Sequence, residues 1–181
     1  MPENGGVIGL ETERLRLRGW RDDDLDVLAG INADPEVMRY IMDGSVRDRR
    51  QSADGLRKMR RDWDARGFGL FAVETRATGT LVGWAGLSVP EFLPEILPAV
   101  EIGWRLGRAH WGLGYATEAA AAALRFGFGE CGLERIVSIR HVDNERSRRV
   151  MEKIGLRYEF DTVVPGHEQP VAVHAINRAG S

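Results

Sequence analysis

The chain has 181 residues, 43% of them apolar and 29% charged, with a formal net charge of −2. That length suits one domain with one substantial core. The near-balanced charge supplies no broad field for nucleic acid or an anionic membrane, both of which need clustered excess Lys and Arg. The single cysteine, Cys131, cannot close an intramolecular disulfide, and no run approaches the roughly 20 apolar residues of a membrane span. The N-terminus lacks a basic-then-apolar signal pattern, so a cytoplasmic protein is expected, without nucleic-acid or membrane partners. His110, His141, His167 and His174 are scattered without ligand-like pairing, and no metal is expected.

Residues 1–8, polar and glycine-containing at Met1–Gly6, are expected to be disordered. Leu15 and Leu17 alternate with Arg14, Arg16 and Arg18, the period of a half-buried strand. Asp22, Asp23 and Asp24 then precede Leu25, Leu28 and Ile31, a helix start with acids at the positive end of its dipole. Asp34-Pro35 breaks that helix, and Leu56, Met59 and Trp63 set the face of a second one from about Val46 to Ala65. The basic run Arg47, Arg49, Arg50, Arg57, Lys58, Arg60 and Arg61 reads as a solvated helix face, because Asp48, Asp54, Asp62 and Asp64 are mixed into it.

Strands follow at Phe68–Glu74 and Leu81–Val89 around a Thr78-Gly79 turn, then a loop over 90–99 with Pro90, Pro94 and Pro98. Val100–Leu106 reads as a strand, Thr117–Phe128 as a helix, Arg135–Val142 as a strand and Ser147–Ile154 as a short helix ended by Gly155. Strands at Tyr158–Val164 and Val171–Ile176 complete the chain. The pattern predicts a single α/β domain of the α+β type over 1–181, a mixed sheet of about seven strands flanked by about four helices.

The most informative stretch joins Glu101-Ile102-Gly103-Trp104-Arg105-Leu106 to Trp111-Gly112-Leu113-Gly114-Tyr115-Ala116-Thr117-Glu118-Ala119. A strand feeds a turn of small residues, and a helix begins directly after it. Such a turn lets backbone approach a ligand closely, and the free N–H groups of a first helical turn favour phosphate. There is no Gly-Lys-Ser/Thr for a P-loop and no third glycine for a dinucleotide fingerprint. Taken alone, the two glycines fit a tight structural turn better than a phosphate site.

With its neighbours, however, this run resembles the GNAT superfamily of N-acetyltransferases, in particular the RimJ/RimL-like branch that acetylates ribosomal-protein N-termini. The turn is similar to that branch's acetyl-CoA loop. Asn144-Glu145-Arg146-Ser147 with Met151-Glu152-Lys153-Ile154-Gly155-Leu156 is similar to its second signature, and Glu11-Thr12-Glu13-Arg14-Leu15-Arg16-Leu17-Arg18 to its opening. The resemblance implies a GNAT-like fold, acetyl-CoA as co-substrate and an amine acceptor. It implies that backbone around Trp111, Gly112, Leu113, Gly114, Tyr115, Ala116 and Thr117 holds the CoA pyrophosphate. Asn144, Ser147 and Met151 would then border the pantetheine arm, with capping of the helix as the alternative or additional role of Asn144, and backbone N–H groups of Ile102, Gly103 and Trp104 would serve the oxyanion. Arg108 and Arg148 are further candidates for the 3′-phosphate. Two positions depart from the pattern, Met151 and Asn177, each where a tyrosine is common.

Attack on a thioester requires a neutral amine. At pH 7 an α-amine is roughly one-tenth neutral, and a lysine only about once in 2,500. Glu101 is the expected base: it shares a strand face with Gly103 and Arg105, whereas Ile102, Trp104 and Leu106 share the other. Pairing with Arg105 or with a neighbouring strand is its alternative role. Ser147, one turn before Met151, is the expected donor to the departing thiolate, or else a first-turn serine bonded to a helix amide. Tyr40, Asp43 and Phe92, with Met42, Trp63 and Trp104, are candidates for the acceptor pocket. The apolar 90–99 loop either borders that pocket or covers a homodimer contact. The expected acceptor is a protein or peptide N-terminal amine; the alternatives are a small amine and a non-catalytic acyl-CoA-binding module.

Overall fold

A computed structural model describes residues 9–179; the disorder expected for residues 1–8 concerns positions outside that range. Strands β1 (Leu10–Glu11) and β2 (Leu15–Arg18) precede helices α1 (Leu25–Asn32), α2 (Pro35–Met38) and α3 (Arg49–Arg66). Strands β3 (Leu70–Thr75), β4 (Leu81–Ser88) and β5 (Glu101–Leu106) then lead through α4 (Tyr115–Gly129) to β6 (Arg135–His141). Helix α5 (Glu145–Lys153) and strands β7 (Arg157–Val164) and β8 (Gln169–Asn177) follow. All eight strands form one sheet in the order β1-β2-β3-β4-β5-β6-β8-β7. Every pairing is antiparallel except β5 with β6, which the α4 crossover makes parallel.

The α/β class and mixed sheet agree with the sequence pattern, with one more strand and one more helix. The extra strand, β1, has two residues, too few to show a period. The extra helix arises because Asp34-Pro35 both ends α1 and opens α2. Proline at a first helical position loses no needed N–H, and the Asp34 carboxylate caps the Glu36 N–H at 2.9 Å. Helix α3 begins later than its apolar face alone predicts, because Asp48 and Gln51 form a reciprocal capping box.

Helices α4 and α5 cover one face of the sheet. Leu15, Leu17, Phe71, Val73 and Ile102 meet the alanine-rich side of α4 and Met151 of α5 there. On the opposite face Leu28 of α1 and Leu56 of α3 pack with Ala72 of β3. The apolar side chains of the 90–99 loop are occupied on that face too. Leu93 is fully buried against Val137, Val164 and Val173, with Phe92 and Ile96 beside it, so the loop covers β6, β7 and β8.

Candidate active site

The site begins where β5 and β6 part. Their parallel ladder shows one residue pair, Glu101 with Val137, closed by the Val137 N–H donating to the Val100 carbonyl at 2.9 Å. In a continued ladder the Ile139 N–H would donate to the Ile102 carbonyl. Instead, the Ile139 amide lies toward the Glu101 carboxylate and favours its ionised form, and the Ser138 hydroxyl donates to Ile102 O at 2.8 Å. A side chain thus satisfies the Ile102 carbonyl that the ladder leaves open where the strands separate. Ser138 gave no sequence signal for this task; it read as one more residue of a strand.

The fork opens into a cleft of about 900 Å³. One wall is the turn before α4. Gly112 and Gly114 adopt φ of 75° and 81°, the left-handed region where a side chain would be strained. Gly114 is the N-cap and offers no side chain, so the N–H groups of Tyr115, Ala116 and Thr117 have no intrahelical acceptor and line the cleft. Arg14 braces this turn from the outside. Its Nη1 donates to Leu113 O at 2.8 Å, its Nε pairs with Glu118 at 2.7 Å, and its guanidinium lies 4.8 Å from the Tyr115 ring. Thr12 donates to the same carboxylate at 2.6 Å. The opening motif therefore stabilises the phosphate-type turn, a link that sequence order alone does not show.

Trp111 lies in the same wall with its indole N–H donated to Leu106 O at 2.9 Å, while the Arg146 guanidinium stacks 4.5 Å from its ring. Its polar atom is thus committed to the end of β5. Helix α5 supplies the facing wall. The Asn144 carboxamide oxygen caps the Ser147 N–H at 3.1 Å, so Asn144 does serve as a helix cap. The Ser147 hydroxyl makes no hydrogen bond among the described residues and lines the cleft. Arg146, Arg149 and Lys153 form a basic stripe along that wall, at spacings of three and four. Arg108 joins them from the turn. Arg148, by contrast, is held by Glu145 and Glu152, outside the lining.

The opposite face carries Glu101 and Arg105. Glu101 is half-buried, and desolvation pushes its carboxyl up to about 8, opposed by the Ile139 amide. No ion pair joins it to Arg105 or to any other cation among the described residues. Arg105 lines the cleft with Tyr40, whose ring lies 5.2 Å from that of His141.

The structure therefore gathers Tyr40, Trp104, Trp111, Gly112, Gly114, Tyr115, Ala116, Thr117, Asn144 and Ser147 around one cleft. Glu101, Ile102 and Gly103 lie on β5 at and just beyond the fork, and Leu113 projects outward, half-exposed. Met151 is enclosed in the core below Ser147, because α5 turns that residue toward α4. Trp63 is likewise core, edge-on to Phe71 at 4.7 Å. Asp43 is exposed, and its carboxyl accepts from the Ser45 hydroxyl and amide, which hold it below its ordinary value. Phe92 packs under the 90–99 loop against β6 and β8, away from the cleft lining.

Comparison with known proteins agrees with this architecture. The family described as Acetyltransferase (GNAT) domain matches residues 14–157. The Bacillus subtilis (strain 168) protein YkkB is 36% identical over 166 residues, covering 91% of this chain and 93% of that protein. A GNAT-family acetyltransferase from Bacillus anthracis superposes with a TM-score of 0.79 at 30% identity, over 94% of this chain and 98% of that one. RimL, a ribosomal L7/L12 α-N-protein acetyltransferase solved with coenzyme A, reaches a TM-score of 0.78 over 96% of this chain and 100% of that one. At 15% identity that likeness carries the fold alone.

Proposed function

We propose, for a chain that belongs to the GNAT acetyltransferase family and is an acetyl-CoA-dependent N-acetyltransferase, that the acceptor is the free α-amine of a peptide or protein N-terminus. What carries this reading is the likeness of the Glu11–Arg18, Trp111–Ala119 and Asn144–Leu156 motifs to the RimJ/RimL-like branch, and the desolvated Glu101 carboxyl, pushed up to about 8, is in keeping with it. An α-ammonium titrates at about 7.7–8.0, so transfer of its proton to Glu101 is nearly level. A lysine ammonium, at about 10.4, would have to give up its proton over two units uphill.

The cleft's donor set fits an acetyl-CoA molecule. The N–H groups of Tyr115, Ala116 and Thr117 face its pyrophosphate at the positive end of the α4 dipole. Arg108, Arg146, Arg149 and Lys153 supply cations for its remaining phosphate. The bound donor presents a thioester carbon; the other contributions come from the chain. Glu101 takes the proton as the amine nitrogen forms its bond to that carbon. The backbone of Ile102 and Trp104 turns toward β6, and beyond the fork the Trp104 N–H has no ladder acceptor, which leaves it to stabilise the carbonyl oxygen. The unbonded Ser147 hydroxyl donates to the sulfur as the C–S bond breaks.

Release of the CoA thiol, followed with two matched peptides, tests the reading. One has a free N-terminal Ala or Ser; its twin is blocked there and carries an internal lysine. Thiol release from the first alone is expected. Release from polyamines or amino sugars alone would overturn the N-terminal acceptor, and acetyl-CoA binding with no transfer to any amine would indicate a binding module.

A further inference from the structure

Arg105 has almost no contact with solvent, at 9% exposure, yet its charge is not compensated. Its Nη1 donates to the Asn32 carboxamide oxygen at 2.7 Å, and Asn32, itself 2% exposed, is fixed in that orientation by donating to the Ser52 hydroxyl at 3.1 Å. The Nε is enclosed without an acceptor. The Trp84 ring lies 5.1 Å from the guanidinium carbon, and its own indole N–H is likewise buried and unbonded. No carboxylate lies within ion-pair distance of Arg105 among the described residues. Desolvation and the like charge of Arg47 together push the guanidinium down to about 9, so it still carries its charge at neutral pH. A buried cation with a single neutral partner is costly unless something else supplies the anion.

The position indicates what that anion is. Arg105 and Glu101 lie on the same face of β5, four residues apart, so their Cα atoms are about 13 Å from each other. That span is on the scale of a short molecule with an amine at one end and an anion at the other; Arg105 lines the cleft, and Glu101 lies at the fork beside it. Arg105 lines the cleft on the side of Tyr40 and Arg39, across the sheet from the α5 stripe that faces the CoA phosphates.

We propose that Arg105 is the specificity-determining counter-charge for a carboxylate that the acceptor carries close to its reacting amine. The inference rests on the N-acetyltransferase reading above and deepens it. The acceptor is an anionic amine, not a polycation, because Arg39 and Arg105 outnumber Glu36, the acid that lines this side with them. The carboxylate comes from one of two sources: an acidic side chain next to a peptide N-terminus, or the acid group of a small amino acid.

Two acceptor pairs distinguish the sources. An Ala-Glu peptide is set against its Ala-Gln twin, both amidated at the C-terminus, and a free amino acid against its amide. Each is assayed for kcat/KM by thiol release and for binding to the complex with CoA by calorimetry. Wild-type protein is expected to favour the carboxylate member of one pair at least tenfold in both readouts, chiefly through KM. In Arg105→Met that ratio should collapse to about twofold or less, and Arg105→Lys, which keeps the charge without the planar fork, should fall between. Equal turnover and equal binding of both members by wild-type protein would overturn the proposal, as would a preference that survives in Arg105→Met. Absence of thiol release with the binding preference intact would instead defeat the acyl-transfer reading and leave this one standing. The wild-type comparison needs no variant to fold.

Discussion

Arg18 and Arg105 are equally deep, each 9% exposed, and their surroundings are opposite. Arg18, on β2, has its Nη1 and Nη2 on the two oxygens of Asp24 at 2.8 and 2.9 Å and its Nε on Glu74 at 2.7 Å. Hydrogen bonding to Asp24, with Glu74 adding to it, holds that guanidinium above its ordinary value despite desolvation. Arg105, on β5, has one amide oxygen and an aromatic face, and its pKa is pushed the other way. Glu101 on the same strand is the acid counterpart of Arg105, desolvated and without a cation among the described residues. Charge buried inside β2 and β3 is closed on itself and holds structure. Charge buried along β5 is left open, which is the condition for meeting the charges of a substrate.

The largest effect that tests this contrast is on stability. Arg18→Met leaves Asp24 and much of Glu74 uncompensated, and should lose about 3–5 kcal/mol in urea denaturation. A loss below about 1 kcal/mol would show that the two regions are not different in kind. Next comes Glu101→Gln, expected to lower turnover on an α-amine by about a hundredfold near pH 7, with acetyl-CoA affinity kept. The deficit should narrow as rising pH deprotonates the amine unaided; an unchanged rate at every pH removes Glu101 from the chemistry.

The same variant has a signature in stability. Because the folded pKa of Glu101 lies above its ordinary value, the folded chain keeps a proton that the unfolded chain releases from about pH 4.5. The stabilising contribution is full below that pH, is lost as pH rises toward about 8, and stays absent above. Glu101→Gln should therefore gain thermal stability relative to wild type between pH 5 and 8, and the gain should then level off. Parallel curves of Tm against pH would contradict the buried, unpaired carboxyl.

A smaller effect is expected for Ser147→Ala, a several-fold fall in the rate of the chemical step with the helix intact, because Asn144 caps the Ser147 amide and not its hydroxyl. A wild-type rate in single turnover would leave the hydroxyl without a role. The smallest is the stability of Arg105→Met, expected within about 1 kcal/mol of wild type or above it, since the buried Asn32 oxygen loses its donor but an uncompensated buried charge is removed with it. A loss as large as that of Arg18→Met would place Arg105 among the structural charges.

The sequence by itself determined the class of the fold, the family and the turn. Alternation, helical spacing and the Asp34-Pro35 and Thr78-Gly79 breaks are local signals, and Trp111 to Thr117 carries its small residues, its helix start and its free amides within one short stretch. The strand parity of Glu101 and Arg105 was equally legible, because the direction of successive side chains in a strand needs no partner to define it. The company of those two residues was not. Whether Glu101 meets Arg105 or the Ile139 amide depends on where β5 and β6 part, and Ser138, distant in sequence, caps that fork. Phe92 and Met151 sit at plausible motif positions, yet packing against β8 and α4 takes them from the cleft. Compensation of a charge is a property of every group within a few ångströms, and only the tertiary structure decides which those are: Arg14 braces a turn about 100 residues away, and Arg105 finds no acid among the described residues.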